Sequence, residues 1–251
     1  RGDMPLVVSE NPLVNCRWRV PSSNHNRMEG EIAKVQQHYV ANEIPALPSL
    51  HPIAVNDVIL TRTPHHLIAV DATTGKRIWL YDDLSLQLTD RFTGGSDIQI
   101  LSNRADILGG WHQRVWDDTP YGQMSSDGER VFLINKLGYP TSRRMLVGRN
   151  GINVPNPLGL KSYNELVALD LASQGKRQWM IGGQSGDDDT ALSGAFFLGA
   201  PLPIDGQLYV LAEISGEIRL LILDAETGNV VWRQPLIHTE ESSGTIVSNS
   251  L

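Results

Sequence analysis

Residues 67–79, LIAVDATTGKRIW, decide the fold of this chain, because the same pattern occurs twice more. The second version is LVALDLASQGKRQW at residues 166–179, and the third is LLILDAETGNVVW at residues 220–232. Each version has four apolar residues, an Asp, a turn that ends in Gly, and a Trp eight or nine residues after the Asp. A unit that recurs in this way indicates a repeat architecture, in which neighbouring units bury each other's apolar faces.

Each part of the repeat has a structural role that its residue types predict. Four apolar residues are too few for a helix and are typical of a strand buried on both faces. The Asp can accept hydrogen bonds from the amides of the following turn, and Gly tolerates the positive φ of such a turn. We expect the Trp side chains to be buried at equivalent positions on successive sheets. The structural repeat residues are Asp71, Gly75, Trp79, Asp170, Gly175, Trp179, Asp224, Gly228 and Trp232.

Turn signals around each repeat predict four short strands, a to d, which form one antiparallel blade of a β-propeller. The fold class is therefore all-β, a partial β-propeller of about three full four-stranded antiparallel blades plus flanking pieces. Closed propellers have ~4–8 blades, so we expect the remaining blades in the same polypeptide. The predicted blades lie at residues 50–81, 119–181 and 196–237, and a further blade starts at 244–251.

Residues 1–49 are predicted to contain a strand of a preceding blade and a linker. The strand lies at residues 14–20, with Trp18 in the place of the repeat Trp. Apolar residues at helical spacing predict a helix at 29–40, which a Pro-containing segment ends.

The composition excludes several classes of protein. The 251 residues carry a formal net charge of -7, which argues against a nucleic-acid binder, since such proteins usually present a basic face. The single cysteine, Cys16, excludes a disulfide within the chain and a cysteine-rich metal site. No run approaches the ~18 apolar residues of a membrane span.

The order of the strands predicts where a binding surface lies. In a four-stranded meander the a–b and c–d turns leave at one end, here called the turn face. The b–c and d–a connections leave at the opposite end, here called the loop face, and every long connection of this chain belongs to it. Long connections in a compact fold are often functional. We therefore place the binding surface on the loop face.

Two groups of residues on the loop face are candidates for binding. Arg143, Arg144 and Arg149 form a basic patch within residues 137–164, suited to a carboxylate, a phosphate or an acidic partner. The alternative is a solvated segment whose charges keep it soluble. Trp111, His112 and Trp116 precede strand a of the second blade and can form an aromatic floor for a planar ligand. Alternatively, they pack this connection onto the blades.

No residue is assigned a catalytic, cofactor-binding or metal-binding role. The acidic run at residues 187–189 lacks the alternating oxygen ligands and closing Glu of a calcium loop. The sequence also contains no nucleophile elbow, zinc-protease or phosphate-loop motif.

Two versions of the repeat, IAVDATTGKRIW and LILDAETGNVVW, resemble the pyrroloquinoline-quinone (PQQ)-like β-propeller repeat. The stretches QRVWDDTPYGQMSSDGERVFLI (113–134) and FFLGAPLPIDGQLYVLAEISGEIRLLILDAETGNVVW (196–232) resemble large repeat proteins of planctomycete-type bacteria. The resemblance covers residues 50–237. A repeat of this kind also occurs in the lipoprotein of the outer-membrane β-barrel assembly machinery. It implies a bacterial protein of the periplasm or cell envelope.

Proteins with this kind of repeat include both enzymes and non-catalytic scaffolds. Analogy of fold alone does not decide between these two functions. Quinone-dependent dehydrogenases of this kind hold PQQ in the channel with calcium, often above a disulfide between adjacent cysteines, which Cys16 alone cannot form. We therefore predict no cofactor and a non-catalytic binding or assembly scaffold that uses the loop face and a protein partner. Two alternatives stay open: a fragment of a quinone-dependent alcohol or sugar dehydrogenase with PQQ and calcium, and a propeller sensor module of a larger multidomain protein.

Overall fold

The structure is a computed structural model and describes residues 16–21, 26–44, 48–63, 66–82, 116, 119–135, 163–183 and 190–238. In these described residues, thirteen strands form three antiparallel sheets that follow one another along the chain. The first sheet contains β1 (Ile53–Val55), β2 (Val58–Arg62), β3 (His66–Asp71) and β4 (Arg77–Asp82). The second contains β5 (Met124–Ser126), β6 (Arg130–Asn135), β7 (Glu165–Asp170) and β8 (Lys176–Gly182).

The third sheet has the same order of strands, with its first strand in two pieces. Its strands are β9 (Phe196–Phe197), β10 (Leu202–Ile204), β11 (Gln207–Ile214), β12 (Glu217–Asp224) and β13 (Val230–His238). Both β9 and β10 pair with β11, in the place of the single strand a that the sequence predicts. Every sheet is therefore a four-stranded meander, which confirms the predicted fold class of partial β-propeller blades.

The helical elements lie outside the sheets. Helix α1 (Asn26–Ala41) confirms the helix that the sequence predicts at residues 29–40. A short helix α2 (Thr119–Gly122) precedes β5, and a 3-10 turn (Thr190–Leu192) precedes β9. Strand a of the second sheet begins at Met124, and Tyr121 lies before it in α2. Its side chain is fully buried there and donates a 2.8 Å hydrogen bond to the Thr63 carbonyl of the first sheet.

The three sheets pack face to face through apolar side chains from their central strands. Leu60 of the first sheet shares one buried cluster with Val131 and Leu169 of the second. Phe132, on the opposite face of the second sheet, shares another buried cluster with Leu221 of the third. The core therefore consists of the two spaces between consecutive sheets, as expected for propeller blades.

The repeat Trp forms a specific contact between consecutive sheets, here called the docking contact. Trp79 of the first sheet lies against Gly175, in the c–d turn of the second, and a Cβ placed on Gly175 would lie 2.5 Å from Cζ3 of Trp79. Trp179 lies in the same way against Gly228 of the third sheet. The indole Nε1 of Trp179 also donates a 3.1 Å hydrogen bond to the carbonyl of Ala225.

Trp18 makes the same docking contact on the first sheet. A Cβ on Gly75 would lie 2.5 Å from Cδ2 of Trp18, whose Nε1 donates a 3.1 Å hydrogen bond to the carbonyl of Ala72. The predicted strand around Trp18 is not observed, because residues 16–20 have no regular secondary structure. Trp18 thus takes the place of a repeat Trp without belonging to a sheet.

Burial of the three repeat Trp residues is confirmed for two of them. Trp79 is 8% exposed and Trp179 is 5% exposed. The prediction is wrong for Trp232, which is 46% exposed although it occupies the equivalent place on β13. The physical reason is that a repeat Trp is covered by the glycine turn of the next sheet, and no such turn follows Trp232 in the described part of the chain.

The first testable prediction separates the docking contact from backbone strain. Gly175 and Gly206 both have a φ of +77°, but no atom lies within 4 Å of a Cβ on Gly206. We expect Gly175→Ala to lower the free energy of unfolding by about 1–3 kcal/mol more than Gly206→Ala, because its methyl group meets Trp79. Urea denaturation of both variants measures this difference. Equal losses would mean that the turn conformation alone requires the glycine.

The second prediction compares a covered Trp with an uncovered one. Trp179→Ala removes a buried side chain and is expected to cost about 3–5 kcal/mol of unfolding free energy. Trp232→Ala is the matched control from the same repeat position, and its cost should be much smaller because the side chain is half exposed. Thermal and urea unfolding of the two variants measure both costs. A loss at Trp232 as large as that at Trp179 would contradict this account of their burial.

Candidate functional site

The turn face carries the three repeat carboxylates, each of which caps its own turn. Oδ1 of Asp71 accepts hydrogen bonds from the amide of Thr74 at 2.7 Å and from its hydroxyl at 2.7 Å. Oδ1 of Asp224 accepts the corresponding pair from Thr227 at 2.8 and 2.7 Å. Asp170 makes equivalent bonds to the Ser173 hydroxyl and, at 2.9 Å, to the Ala172 amide. These bonds fix the turn on which the repeat Trp of the preceding segment rests.

The same hydrogen bonds lower the pKa of all three carboxyl groups. In each case the largest cause is the hydrogen bond from a side-chain hydroxyl to the carboxylate. The hydroxyl of Thr74 lowers the pKa of Asp71, that of Ser173 lowers the pKa of Asp170, and that of Thr227 lowers the pKa of Asp224. Perturbed pKa values often mark functional sites, although structural networks also produce them. Here the shift recurs at the same position of every repeat, so it belongs to the turn and not to a single site.

The third prediction concerns acid stability. A carboxyl group whose pKa is lower in the folded state stabilises the fold above its unfolded pKa, and this stabilisation is lost as the pH falls through the folded pKa. Thr227→Val removes the main cause of the low pKa of Asp224. We expect this variant to have a lower unfolding free energy at about pH 6 and a weaker decline on acidification toward about pH 2.

The control for this prediction is Thr61→Val. The Thr61 hydroxyl donates a long 3.5 Å bond to the Arg62 carbonyl. Denaturation curves at a series of pH values should therefore show the wild-type acid dependence in this variant. If Thr227→Val retained that dependence as well, the carboxylate caps would not be the source of the acid sensitivity.

At the loop face, the first and second sheets are joined by the buried side chain of Arg62. This residue ends β2, is 2% exposed, and extends to the end of β6. One guanidinium nitrogen donates to the carbonyls of Ile134 at 2.6 Å and Tyr121 at 3.0 Å, and another donates to Oδ1 of Asn135 at 2.8 Å. The guanidinium carbon lies 3.6 Å from the centroid of the Tyr121 ring. These hydrogen bonds from a buried cation, together with the ring contact, fix the two strand ends to each other.

Asn164 makes the corresponding connection between the second and third sheets. Its side chain is fully buried, donates to the carbonyl of Phe197 at 2.8 Å and accepts from the amide of Phe197 at 2.7 Å. Glu165, which is 2% exposed, follows it at the start of β7 and pairs with Asn135 across the sheet. The loop-face ends of all three sheets are thus held together by buried polar side chains.

Sequence reasoning missed Arg62, Asn135, Asn164 and Glu165. A charged or amide residue at the end of an apolar strand is normally expected to point into solvent, so the sequence does not indicate that these side chains are buried. The one available signal is positional, because Arg62 and Asn135 both end strand b of their sheets.

Most of the predicted binding residues lie outside the described residues, namely Arg143, Arg144, Arg149, Trp111 and His112. Trp116 is described and is 9% exposed. Its ring packs edge to face on Tyr39 of α1, with centroids 5.3 Å apart, beside Ile32 and Val35. This position fits the alternative in which the aromatic residues pack the connection onto the fold, and it leaves little of Trp116 for a ligand.

A cleft of about 420 Å³ lies between the first strands of the first two sheets. It is lined by residues 53–56 of the first sheet and by Ser125, Ser126 and Gly128 of the second. The cleft belongs to the turn-face end of the strands, where Asn56 donates to the Gly128 carbonyl at 3.4 Å.

Two further features follow from the described residues. No three His, Cys, Asp or Glu side chains come together there in a way that could hold a metal ion. Among the helices of this part of the chain, none has the length and apolar character needed to cross a membrane.

The sheets define the class of protein as a partial β-propeller of four-stranded blades. No family model matches the chain, and no curated protein does either. Among solved structures, the chain is similar to the quinohemoprotein alcohol dehydrogenase from Comamonas testosteroni, with 19% identity and a TM-score of 0.41. That match covers 75% of this chain and 21% of the dehydrogenase.

A second solved structure, the Bacillus megaterium YpeB C-terminal domain, matches with 9% identity and a TM-score of 0.16. It covers 85% of this chain and 98% of that domain. Similarities this distant carry no argument about activity.

Proposed function

We propose that this chain is a non-catalytic binding or assembly scaffold that presents its partner-binding surface on the loop face. The observation that carries the proposal is the polar junction at that face. Arg62 fixes the ends of the first two sheets, and the long segments 83–115 and 136–162 join the described strands there, after Asp82 and Asn135. A rigid platform that carries long connections at one end is typical of a binding fold.

The buried polar groups favour a structural reading of this junction. Arg62 and Asn164 donate hydrogen bonds to main-chain carbonyls beyond their own sheet, and Arg62 also donates to Oδ1 of Asn135, so their polar atoms hold the sheets together. The carboxyl groups with lowered pKa values cap turns on the opposite face. The groups with altered electrostatics thus have structural partners that account for them. A protein partner and a location in the cell envelope remain part of this proposal and depend on the resemblance.

The fourth prediction tests the basic patch as the partner-binding surface. Charge reversal of Arg143, Arg144 and Arg149 should weaken binding of a poly-glutamate peptide by about tenfold or more, because such contacts are electrostatic. The control reverses Lys176 and Arg177, which are exposed on β8, and should leave the affinity unchanged. Fluorescence anisotropy at two salt concentrations measures both.

Two outcomes would contradict the proposal. Equal losses in the patch and control variants would show that net charge alone governs binding. Stoichiometric binding of PQQ with calcium in a calorimetric titration, accompanied by dye reduction with an alcohol, would favour the dehydrogenase alternative.

A further inference from the structure

Helix α1 lies on the loop face, where the predicted binding surface is. It contacts Leu50, which leads into β1, and Trp116, which precedes α2 and β5. Strand a of each sheet begins at the loop face, so the residues just before β1 and β5 belong to that end of the sheets. Leu50 also packs against the buried cluster between the second and third sheets. Leu50 and Trp116 together are here called the helix seat.

The helix seat is part of the fixed framework of the fold. Ser49, which precedes Leu50, is buried, and a side chain on Gly122 of α2 would collide with its carbonyl. On the other side of Leu50, the amide of His51 donates a 3.2 Å hydrogen bond to the Gly122 carbonyl. The chain on both sides of Leu50 is therefore tied to α2, whose Tyr121 is fully buried. We expect the seat to keep its shape whether or not a helix lies on it.

The contact of α1 with the helix seat is narrow. It consists of Ile32, Val35 and Tyr39, which lie along one side of the helix, and each of these side chains is only partly buried. The other side chains of α1 that the structure describes are exposed, and Val40, next to Tyr39, is 66% exposed. With this stripe in place, Trp116 is 9% exposed. The helix thus lies over an apolar ring while it buries little of its own surface.

Two backbone positions reduce the stability of α1 itself. Gly30 lies inside the helix with open space around it, and glycine in a helix interior is disfavoured relative to alanine. The helix ends in a Schellman motif, in which the amide of Ile44 donates a 2.9 Å hydrogen bond to the carbonyl of Tyr39. This motif favours glycine at its left-handed residue, but here Glu43 occupies that place with a φ of 56°. A helix with a narrow contact and two such positions belongs to the part of a fold that opens locally.

From these observations we propose that α1 is a displaceable cap on the helix seat, and that the seat binds an amphipathic helix of a partner protein. The chemistry of the partner follows from the residues that occupy the seat in this chain. These are an aliphatic residue, a second one three positions later, and an aromatic residue four positions after that. Docking of the apolar face of a helix on an apolar surface is a common mode of peptide recognition. This inference rests on the proposed function, because it names the kind of partner that the loop face binds.

The cap lowers the affinity for a partner helix, because the seat must be open before the partner binds. The apparent dissociation constant equals the intrinsic one divided by the fraction of molecules whose seat is open. Helix α1 is tethered to the seat, and tethered groups act at effective concentrations in the ~mM range. Changes that weaken the cap therefore strengthen partner binding, and changes that stabilise α1 weaken it. A helix with only a structural role would show neither effect.

The fifth prediction uses a labelled synthetic peptide of residues 26–44 as the partner helix, and fluorescence anisotropy measures its binding to the whole chain. Tyr39→Ala in the chain removes the ring contact with Trp116 and should lower the dissociation constant of the peptide by about tenfold or more relative to wild type. Val40→Ala is the matched control on the exposed side of the helix and should leave this constant unchanged. Gly30→Ala stabilises α1 and should raise it by about fivefold.

Two further measurements identify the site and its opening. Adding Trp116→Ala to Tyr39→Ala removes the helix seat and should abolish peptide binding, and circular dichroism verifies that each variant folds. A peptide that itself carries Tyr39→Ala should bind the Tyr39→Ala chain at least about tenfold more weakly, and it serves as the control if the Trp116→Ala variant does not fold. In native-state hydrogen exchange, the amides of α1 should exchange at least about 100-fold faster than those of β6.

Three results would overturn the proposal. If the peptide does not bind the Tyr39→Ala chain, the seat does not accept a helix from outside. Binding that survives the loss of Trp116 in a folded variant would place the site elsewhere. Exchange of the α1 amides as slow as that of β6 would mean that the cap does not open. The poly-glutamate experiment tests the loop face separately, so a failure of the helix seat is distinguishable from a failure of the proposed function.

Discussion

The contact between a Trp of one segment and a left-handed glycine turn of the next sheet is the constraint on which the structure depends. Gly175 meets Trp79 so closely that no side chain fits between them, and the positive φ of Gly175 disfavours one in any case. The Asp170 carboxylate holds the turn in that shape. The backbone conformation of this one turn therefore determines how closely the Trp of the preceding sheet can approach. The same contact recurs between the second and third sheets.

The strands, their order and the residues of the docking contact could be predicted from the sequence, because they depend on local chemistry that recurs. Four apolar residues, a capping Asp, a Gly and a Trp define each turn without reference to distant residues. Exposure of Trp232 could not be predicted in this way, because burial depends on the neighbouring sheet and not on the repeat. Trp18 shows the converse, since it makes the docking contact from a segment without a strand.

The polar junction at the loop face could not be predicted, because its partners are far apart in the chain. Arg62 binds main-chain atoms 59 and 72 residues away. Nothing in the local sequence VILTR distinguishes this buried arginine from one that points into solvent. The two ends of the sheets therefore differ in kind. The turn face is held by contacts that recur from sheet to sheet, and the loop face by single contacts that do not recur.

This difference bears on where a propeller can vary. Each docking turn packs its glycine against an indole ring. A larger residue at that glycine therefore meets the same steric clash in every sheet. Among the strand ends that the structure describes, the loop face has no repeated motif, since strand b ends in Arg62 in one sheet, Asn135 in the next and Ile214 in the third. Variation is therefore compatible with the fold at that end as long as each junction keeps its buried hydrogen bonds satisfied. The loop face is therefore the end at which successive blades carry different residues, and it is the end on which the proposed binding surface lies.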